Sequence, residues 1–86
     1  MVYNIVYTKR ANKAFRGMSK DTSKAIRKNI EHIAAAPFAS HHNVTRLQGR
    51  EGYRLRCGDW RIIFEIQQET IVILVLEIGL RKEVYR

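Results

Sequence analysis

The feature that most constrains the fold is the stretch 53–66, in which apolar and polar residues alternate on either side of a Gly-Asp pair. A two-residue loop with glycine first, here Gly58-Asp59, is typical of a type II′ turn in a β-hairpin. Counting outward from the turn predicts these cross-strand pairs: Cys57 with Trp60, Arg56 with Arg61, Leu55 with Ile62, and Arg54 with Ile63. Because side chains alternate along a strand, one face of this hairpin should be buried.

Two apolar patterns at helical spacing precede the hairpin and predict two helices. The first consists of Ala11, Ala14, Phe15 and Met18, and the second of Ile26, Ile30, Ile33 and Ala34. Ser19 or Asp21 is available to cap the second helix, and Pro37 should stop it. The lysines and arginines on its outer side are interpreted as a solvated face.

The rest of the chain is rich in β-prone residues. Residues 3–7 predict a first strand, and 71–78 are apolar almost throughout, which predicts an interior strand buried on both faces. Residues 44–51 are ambiguous between a short strand and an irregular segment. The order strand, helix, helix, β-meander predicts a single α+β domain over 1–86, with two helices packed on one face of a four-stranded antiparallel sheet.

The net charge limits the classes of partner. Sixteen Lys and Arg against eight Asp and Glu give +8, which attracts nucleic acid, an anionic membrane or an acidic protein. The membrane is disfavoured, because the longest apolar run, 71–76, is far shorter than the roughly 20 residues of a spanning helix. With no signal-peptide pattern and a single cysteine, Cys57, a cytoplasmic protein is expected, and no metal or cofactor is predicted.

Three arginines share the other face of the predicted hairpin. Arg54, Arg56 and Arg61 lie there by alternation, with Glu65 farther along. Like charges directly opposite each other are destabilising, by ~1 kcal/mol in water and more in a drier cleft. Placing Arg56 against Arg61 therefore favours an anion site, and the planar fork of arginine suits phosphate.

These residues resemble a known family. The segments 53–65 and 79–85, with basic-x-basic, turn, aromatic-Arg and then Gly-x-Arg and Glu-Val-Tyr, resemble the RelE/ParE toxin superfamily, in particular its RelE branch. The resemblance implies a RelE-like fold and the toxin of a type II toxin–antitoxin system. It implies an endoribonuclease that cuts mRNA in the ribosomal A site, held by an acidic RelB-like antitoxin and meeting operator DNA only through that antitoxin complex.

The same resemblance implies a catalytic and RNA-binding set, namely Arg54, Arg56, Arg61, Arg81 and Tyr85. Without a metal, the 2′-hydroxyl attacks its own phosphate and leaves a 2′,3′-cyclic phosphate. Arg61 and Arg81 would stabilise the developing charge. Tyr85 would stack on a base or orient the 2′-hydroxyl.

Two departures from the family pattern leave the acid–base chemistry open. Well-known relatives have lysine on the first hairpin strand, whereas arginine is effectively always protonated. The general base therefore stays open among Arg54, Arg56 and Glu65. Leu80 stands where many relatives have His or Lys, which removes a candidate acid.

Two other functions are alternatives to the ribonuclease. One is a ParE-like toxin that inhibits DNA gyrase and cuts no RNA. The other is a non-catalytic basic RNA-binding module that uses the same arginines for affinity alone.

Overall fold

A computed structural model describes residues 2–80 of the chain, so the predicted site residues Arg81 and Tyr85 lie outside the described residues. The described part forms an α+β fold, as predicted. Its elements, in chain order, are β1 (Asn4–Tyr7), α1 (Lys9–Ala14), a 3-10 turn (Phe15–Gly17), α2 (Lys20–Ala35), β2 (Val44–Arg46), β3 (Tyr53–Cys57), β4 (Trp60–Gln67) and β5 (Val72–Leu80).

Hydroxyl side chains cap the start of both helices. The Oγ1 of Thr8 accepts a hydrogen bond from the backbone N–H of Ala11 at 3.1 Å, and the Oγ of Ser19 accepts one from the N–H of Thr22 at 3.2 Å. Each bond satisfies a backbone donor that has no partner within the first helical turn. Of the two capping residues that the sequence offered for α2, Ser19 is therefore the one used.

The sheet has five strands in the order β1-β5-β4-β3-β2, where four were expected. The added strand, β2, comes from the ambiguous segment and pairs antiparallel with β3. The sheet is mixed rather than antiparallel, because β1 pairs parallel with β5, with Asn4 opposite Val72. The chain between β1 and β5 passes through both helices and three other strands, and parallel pairing requires a long connection of this kind. The sequence pattern contained no signal for this pairing.

The predicted hairpin is confirmed pair by pair. Its register joins Cys57 to Trp60, Arg56 to Arg61, Leu55 to Ile62 and Arg54 to Ile63. Gly58 has φ +60°, whereas Asp59 is not among the residues with positive φ. That combination is the one that a type II′ turn requires, since only its first central residue has positive φ.

The core lies between α2 and one face of the sheet, and both predicted apolar stripes contribute to it. Its fully buried members include Ile26, Ile30, Leu55, Ile62 and Phe64. The other hairpin residues that alternate onto this face pack against them: Tyr53, Cys57, Trp60 and Ile66. The helices therefore cover the predicted face and leave the arginine-bearing face on the other side.

The prediction for β5 is half right. It is an interior strand, and Ile73 and Val75 are fully buried, but Leu74 on the other face is only partly buried. The turn before it ends at Ile71, which has φ +56°. A β-branched residue rarely adopts that left-handed conformation, so this turn is locally strained.

Candidate nucleic-acid interface

The arginines predicted from the hairpin share one surface of the sheet. We call the sheet surface opposite the helices, with Arg54, Arg56 and Arg61, the arginine face. Arg56 and Arg61 are cross-strand partners, and Arg54 lies opposite Ile63. Arg56 is exposed, Arg54 is half-buried, and Arg61 is buried. The three cations therefore differ strongly in their surroundings.

The Arg61 side chain is bound by the backbone of the hairpin turn and is almost completely shielded from solvent. Its side chain is only 4% exposed, and its Nη1 donates hydrogen bonds to the carbonyl oxygens of Gly58 and Trp60, both at 3.0 Å. These carbonyl oxygens place partial negative charge beside the guanidinium, which offsets its repulsion from Arg56. A buried cation in one fixed orientation is suited to stabilising charge that develops at a fixed point.

Arg56 is fixed through its backbone by Asn43, the residue directly before β2. The N–H of Arg56 donates to the carbonyl oxygen of Asn43 at 2.9 Å, and Asn43 Nδ2 donates to the carbonyl oxygen of Arg56 at 3.3 Å. The same Nδ2 donates to Asn29 Oδ1 on α2 at 3.0 Å. Asn43 thus extends the β2–β3 ladder by one position and ties it to α2.

The neighbouring thiol has a packing role. Asn29 Nδ2 lies 3.7 Å from Cys57 Sγ, and burial raises the pKa of the Cys57 thiol above its ordinary value of 9.0. A raised pKa keeps the thiol protonated at neutral pH, and a protonated thiol is a poor nucleophile. Cys57 therefore packs against the core as a small apolar residue.

Two carboxylates lie on the same side of the sheet as the arginines. A β-bulge in the β4–β5 ladder skips Leu76, and this shift places Glu77 opposite Ile63. Glu77 Oε1 lies 3.8 Å from Arg10 Nη1 of α1. Glu65 borders an open groove of about 550 Å³ where β3 begins and β4 ends, together with Arg46 and Glu51.

The structure thus brings together the three predicted site residues that it describes, and adds two that the sequence analysis missed. Asn29 and Asn43 were missed because an asparagine that bonds across elements leaves no periodic signal. Within residues 2–80, no group of His, Cys, Asp or Glu side chains is arranged to hold a metal ion. No helix in the same range is long and apolar enough to cross a membrane.

Comparison with known proteins identifies the family. The profile described as ParE toxin of type II toxin-antitoxin system, parDE, matches residues 5–85. The mRNA interferase toxin RelE of Escherichia coli is 22% identical over 87 residues, spanning 99% of this chain and 92% of that protein.

Solved structures share the fold. The archaeal RelE-RelB complex from Pyrococcus horikoshii contains a chain with TM-score 0.81 and 25% identity, covering 94% of this chain and 97% of that one. The YoeB/ParE toxin from Agrobacterium tumefaciens has TM-score 0.74 and 15% identity, covering 91% and 98%. The resemblance seen in the sequence is confirmed. The chain belongs to the ParE toxin family, within the RelE/ParE superfamily of toxins from type II toxin–antitoxin systems.

Proposed function

We propose that this toxin is a ribosome-dependent endoribonuclease that cuts mRNA in the A site. The observation that carries the proposal is the buried Arg61 guanidinium, oriented by two turn carbonyls beside the cross-strand Arg56. A cation fixed in this way beside a second arginine is suited to stabilising charge that develops at one point, in addition to stabilising the turn. The relative named mRNA interferase toxin RelE supports the same activity.

The proposed reaction is an internal transfer at the scissile phosphate. The 2′-hydroxyl oxygen attacks phosphorus, the bond to the 5′-oxygen breaks, and a 2′,3′-cyclic phosphate and a 5′-hydroxyl result. Arg61 and Arg81 stabilise the charge that builds on the phosphoryl oxygens, while Arg54 and Arg56 hold the phosphate. Tyr85 stacks on a base or orients the attacking hydroxyl.

The proton of the 2′-hydroxyl needs an acceptor that arginine does not provide. Among the described residues of the arginine face, Glu65 and Glu77 carry carboxylates, and Glu77 is drawn towards Arg10. Glu65 is therefore the residue to test as general base. If it has that role, Glu65→Gln lowers the cleavage rate at least a hundredfold, which is the lower end of typical general-base contributions. An unchanged rate would mean that Glu65 only balances charge.

The proposal includes the partners of such a toxin. The RelE-RelB complex supports an acidic RelB-like antitoxin for this chain, because a +8 protein is electrostatically complementary to an acidic one. Operator DNA would be met only through that complex. The ribosome with its mRNA is the target, which places the action in the cytoplasm.

Gyrase inhibition is the second candidate, because the matching profile is that of ParE toxins. The two activities separate cleanly in one set of assays. The purified toxin is added to ribosomes stalled on a defined message, and cuts are mapped by primer extension. In parallel, the toxin is added to gyrase in a supercoiling assay.

The ribonuclease predicts cuts in the A-site codon that are absent on naked RNA and in the Arg81→Ala variant. Arg50→Ala is the matched control, because it removes an exposed arginine of the loop after β2. Inhibited supercoiling without cuts would replace the ribonuclease with the gyrase function. If the toxin bound RNA but neither cut mRNA nor inhibited gyrase, it would be a non-catalytic RNA-binding module.

A further inference from the structure

Strand β5 contains a glycine that its backbone does not require. Gly79 is buried and belongs to an interior strand of the described sheet. Gly49, Gly52 and Gly58 have positive φ, whereas Gly79 is not among the residues with positive φ. Glycine weakens a strand, because it has no side chain to pack and loses much conformational freedom on folding. A buried glycine in ordinary strand conformation therefore indicates that a side chain at this position would meet a neighbour.

A β-bulge decides which neighbour Gly79 has. The register of the β4–β5 ladder shifts by one residue between Ile63 and Phe64. Without this shift, the ladder would place Ile78 opposite Arg61. With it, Gly79 lies opposite Arg61, and Ile78 belongs to the core. Bulges often re-aim side chains beside active sites, and this one places the residue type that has no side chain next to the buried cation.

The long side chain of Arg61 is buried between two neighbouring strands. It is only 4% exposed, and its Nη1 reaches back to the carbonyl oxygens of Gly58 and Trp60 at 3.0 Å. On β3, its cross-strand partner is Arg56, a side chain of the same length. The Cβ atoms of opposite residues are only ~4.5–5.5 Å apart, so a side chain on β5 would compete with Arg61 for the same volume. Glycine at position 79 removes that competition.

We propose that Gly79 is a positioning residue for Arg61. Because it has no side chain, it leaves the volume in which the Arg61 side chain is buried, and so keeps the guanidinium on the turn carbonyls. The inference deepens the proposed function and rests on it, since a cation fixed in this way stabilises the charge that develops during cleavage. Gly79 acts through Arg61 and needs no contact with RNA.

The first test separates cleavage rate from affinity. Gly79→Ala and Gly79→Val are added in excess to ribosomes stalled on a defined message, which gives the rate, and the concentration for half-maximal rate gives the affinity. We expect a rate about tenfold lower for Gly79→Ala and about a hundredfold lower for Gly79→Val, because a misplacement of ~1 Å costs on the order of a hundredfold. The affinity should stay close to that of the wild type, because both variants keep every cation of the chain.

Gly17→Ala and Gly17→Val are the matched controls. Gly17 is exposed, lacks positive φ as Gly79 does, and a Cβ added there would meet no atom within 4 Å. Both controls should cut like the wild type. Strand preference rises from glycine through alanine to valine, so a glycine that affected only the stability of β5 would give the opposite order of activities at position 79. Wild-type activity in Gly79→Val would overturn the proposal.

The second test measures stability and does not depend on cleavage. Urea unfolding compares Gly79→Ala and Gly79→Val in the wild type and in Arg61→Ala. Where Arg61 is present, the new side chain competes with it, and the midpoint should fall. In Arg61→Ala that volume is vacant, so the same substitutions should raise the midpoint through their higher strand preference. Such non-additivity measures a direct interaction between two positions, and equal shifts in both backgrounds would overturn the proposal. Gly79→Ala is the milder change and provides the comparison if Gly79→Val does not fold.

The two tests separate this inference from the proposed function. If the wild type cut no mRNA but the midpoint shift changed sign with Arg61, the proposed function would fail and Gly79 would still position Arg61. If the wild type cut mRNA and the shifts were equal in both backgrounds, the function would stand and Gly79 would have no positioning role.

Discussion

The helical cation surface, which we define as the eight Lys and Arg residues of segment 9–28, and the arginine face use positive charge in opposite ways. The first has eight cations and one acidic residue within twenty positions, and seven of its cations are exposed. The second has three described arginines that share the sheet with Ile63, Glu65 and Glu77, and its most buried cation is bound to two backbone carbonyls. Most of the net charge therefore lies on the helical segments, whereas the sheet carries a cation that hydrogen bonds hold in a fixed position.

Under the proposed function, the exposed helical cations attract RNA, whereas the arginine face takes part in its cleavage. Exposed lysines on long flexible stems attract phosphate over a distance and tolerate small displacements. A buried guanidinium acts only on an atom that reaches its fixed position, but its effect there is stronger because water is excluded. Substitutions on the sheet should therefore affect rate and stability, whereas those on the helices should affect binding.

The largest effect is expected for Arg61→Ala. Removing the fixed cation should lower mRNA cleavage ~10²- to 10³-fold. The loss of its two carbonyl contacts should lower the free energy of unfolding by about 2 kcal/mol. Primer extension on stalled ribosomes and urea unfolding measure the two effects.

Arg61→Lys distinguishes geometry from charge. It retains a positive charge but not the planar fork that meets both Gly58 and Trp60 carbonyls, so activity should stay well below wild type. Full activity in Arg61→Lys would show that charge alone matters and would remove the distinction between the two surfaces.

Asn43→Ala comes next. It removes the side-chain bonds to Asn29 and to the Arg56 carbonyl, which should cost about 1–2 kcal/mol of stability. Misplacing Arg56 should lower cleavage about tenfold, since small displacements of catalytic groups are costly. Asn12→Ala, at an exposed position of α1, is the control and should change neither. If Asn43→Ala lowered stability alone, Asn43 would have no role in placing Arg56.

Gly58→Ala should have a smaller effect on stability, about 1 kcal/mol, because φ at this position is +60° and nothing crowds the new Cβ. Gly49→Ala is a closely matched control, with φ +76° and open space around its Cβ. Both variants should lower the melting temperature to a similar extent. Only Gly58→Ala should also lower cleavage, because the Gly58 carbonyl binds Arg61. Equal activities would argue against the turn as the element that orients Arg61.

The smallest effect has the opposite sign. Lys24→Glu replaces repulsion with attraction between residues four apart on α2, so it should stabilise the protein by about 0.5 kcal/mol. For a domain of this size that raises the melting temperature by roughly 2–4 °C. Arg50→Glu, outside any helix, should leave it unchanged. Weaker RNA binding together with higher stability would indicate that these lysines are retained for function; a lower melting temperature would contradict the repulsion.

The features that could be predicted from the sequence are those that depend on residues close together in the chain. The hairpin register followed from Gly58-Asp59, because a two-residue turn leaves one way to pair the strands. Both helices followed from apolar spacing. The parallel pairing of β1 with β5 did not, because strands far apart in the chain share no local signal. That pairing also explains why the sheet is mixed, although the predicted antiparallel meander of β3, β4 and β5 is confirmed.

The candidate site was predictable only as a set of residue types on one face. Alternation placed Arg54, Arg56 and Arg61 together, but it gives no information on which side chain folds back onto a turn. The burial of Arg61 depends on carbonyl groups, which every residue has. The bulge that brings Glu77 onto this face is likewise a property of two paired strands, invisible in either strand alone.

The pairing of β1 with β5 sets an order of events during synthesis. Asn4 pairs with Val72 and β1 is an edge strand, so β1 has no neighbour in the described sheet until β5 has emerged from the ribosome. Pairing across so long a separation in the chain is slow, because the loop must close before the contacts form. In a nascent chain, the basic helical segments are therefore synthesised well before the sheet can be completed. Under the proposed function, a toxin built this way becomes active only after β5 has been made and has paired with β1.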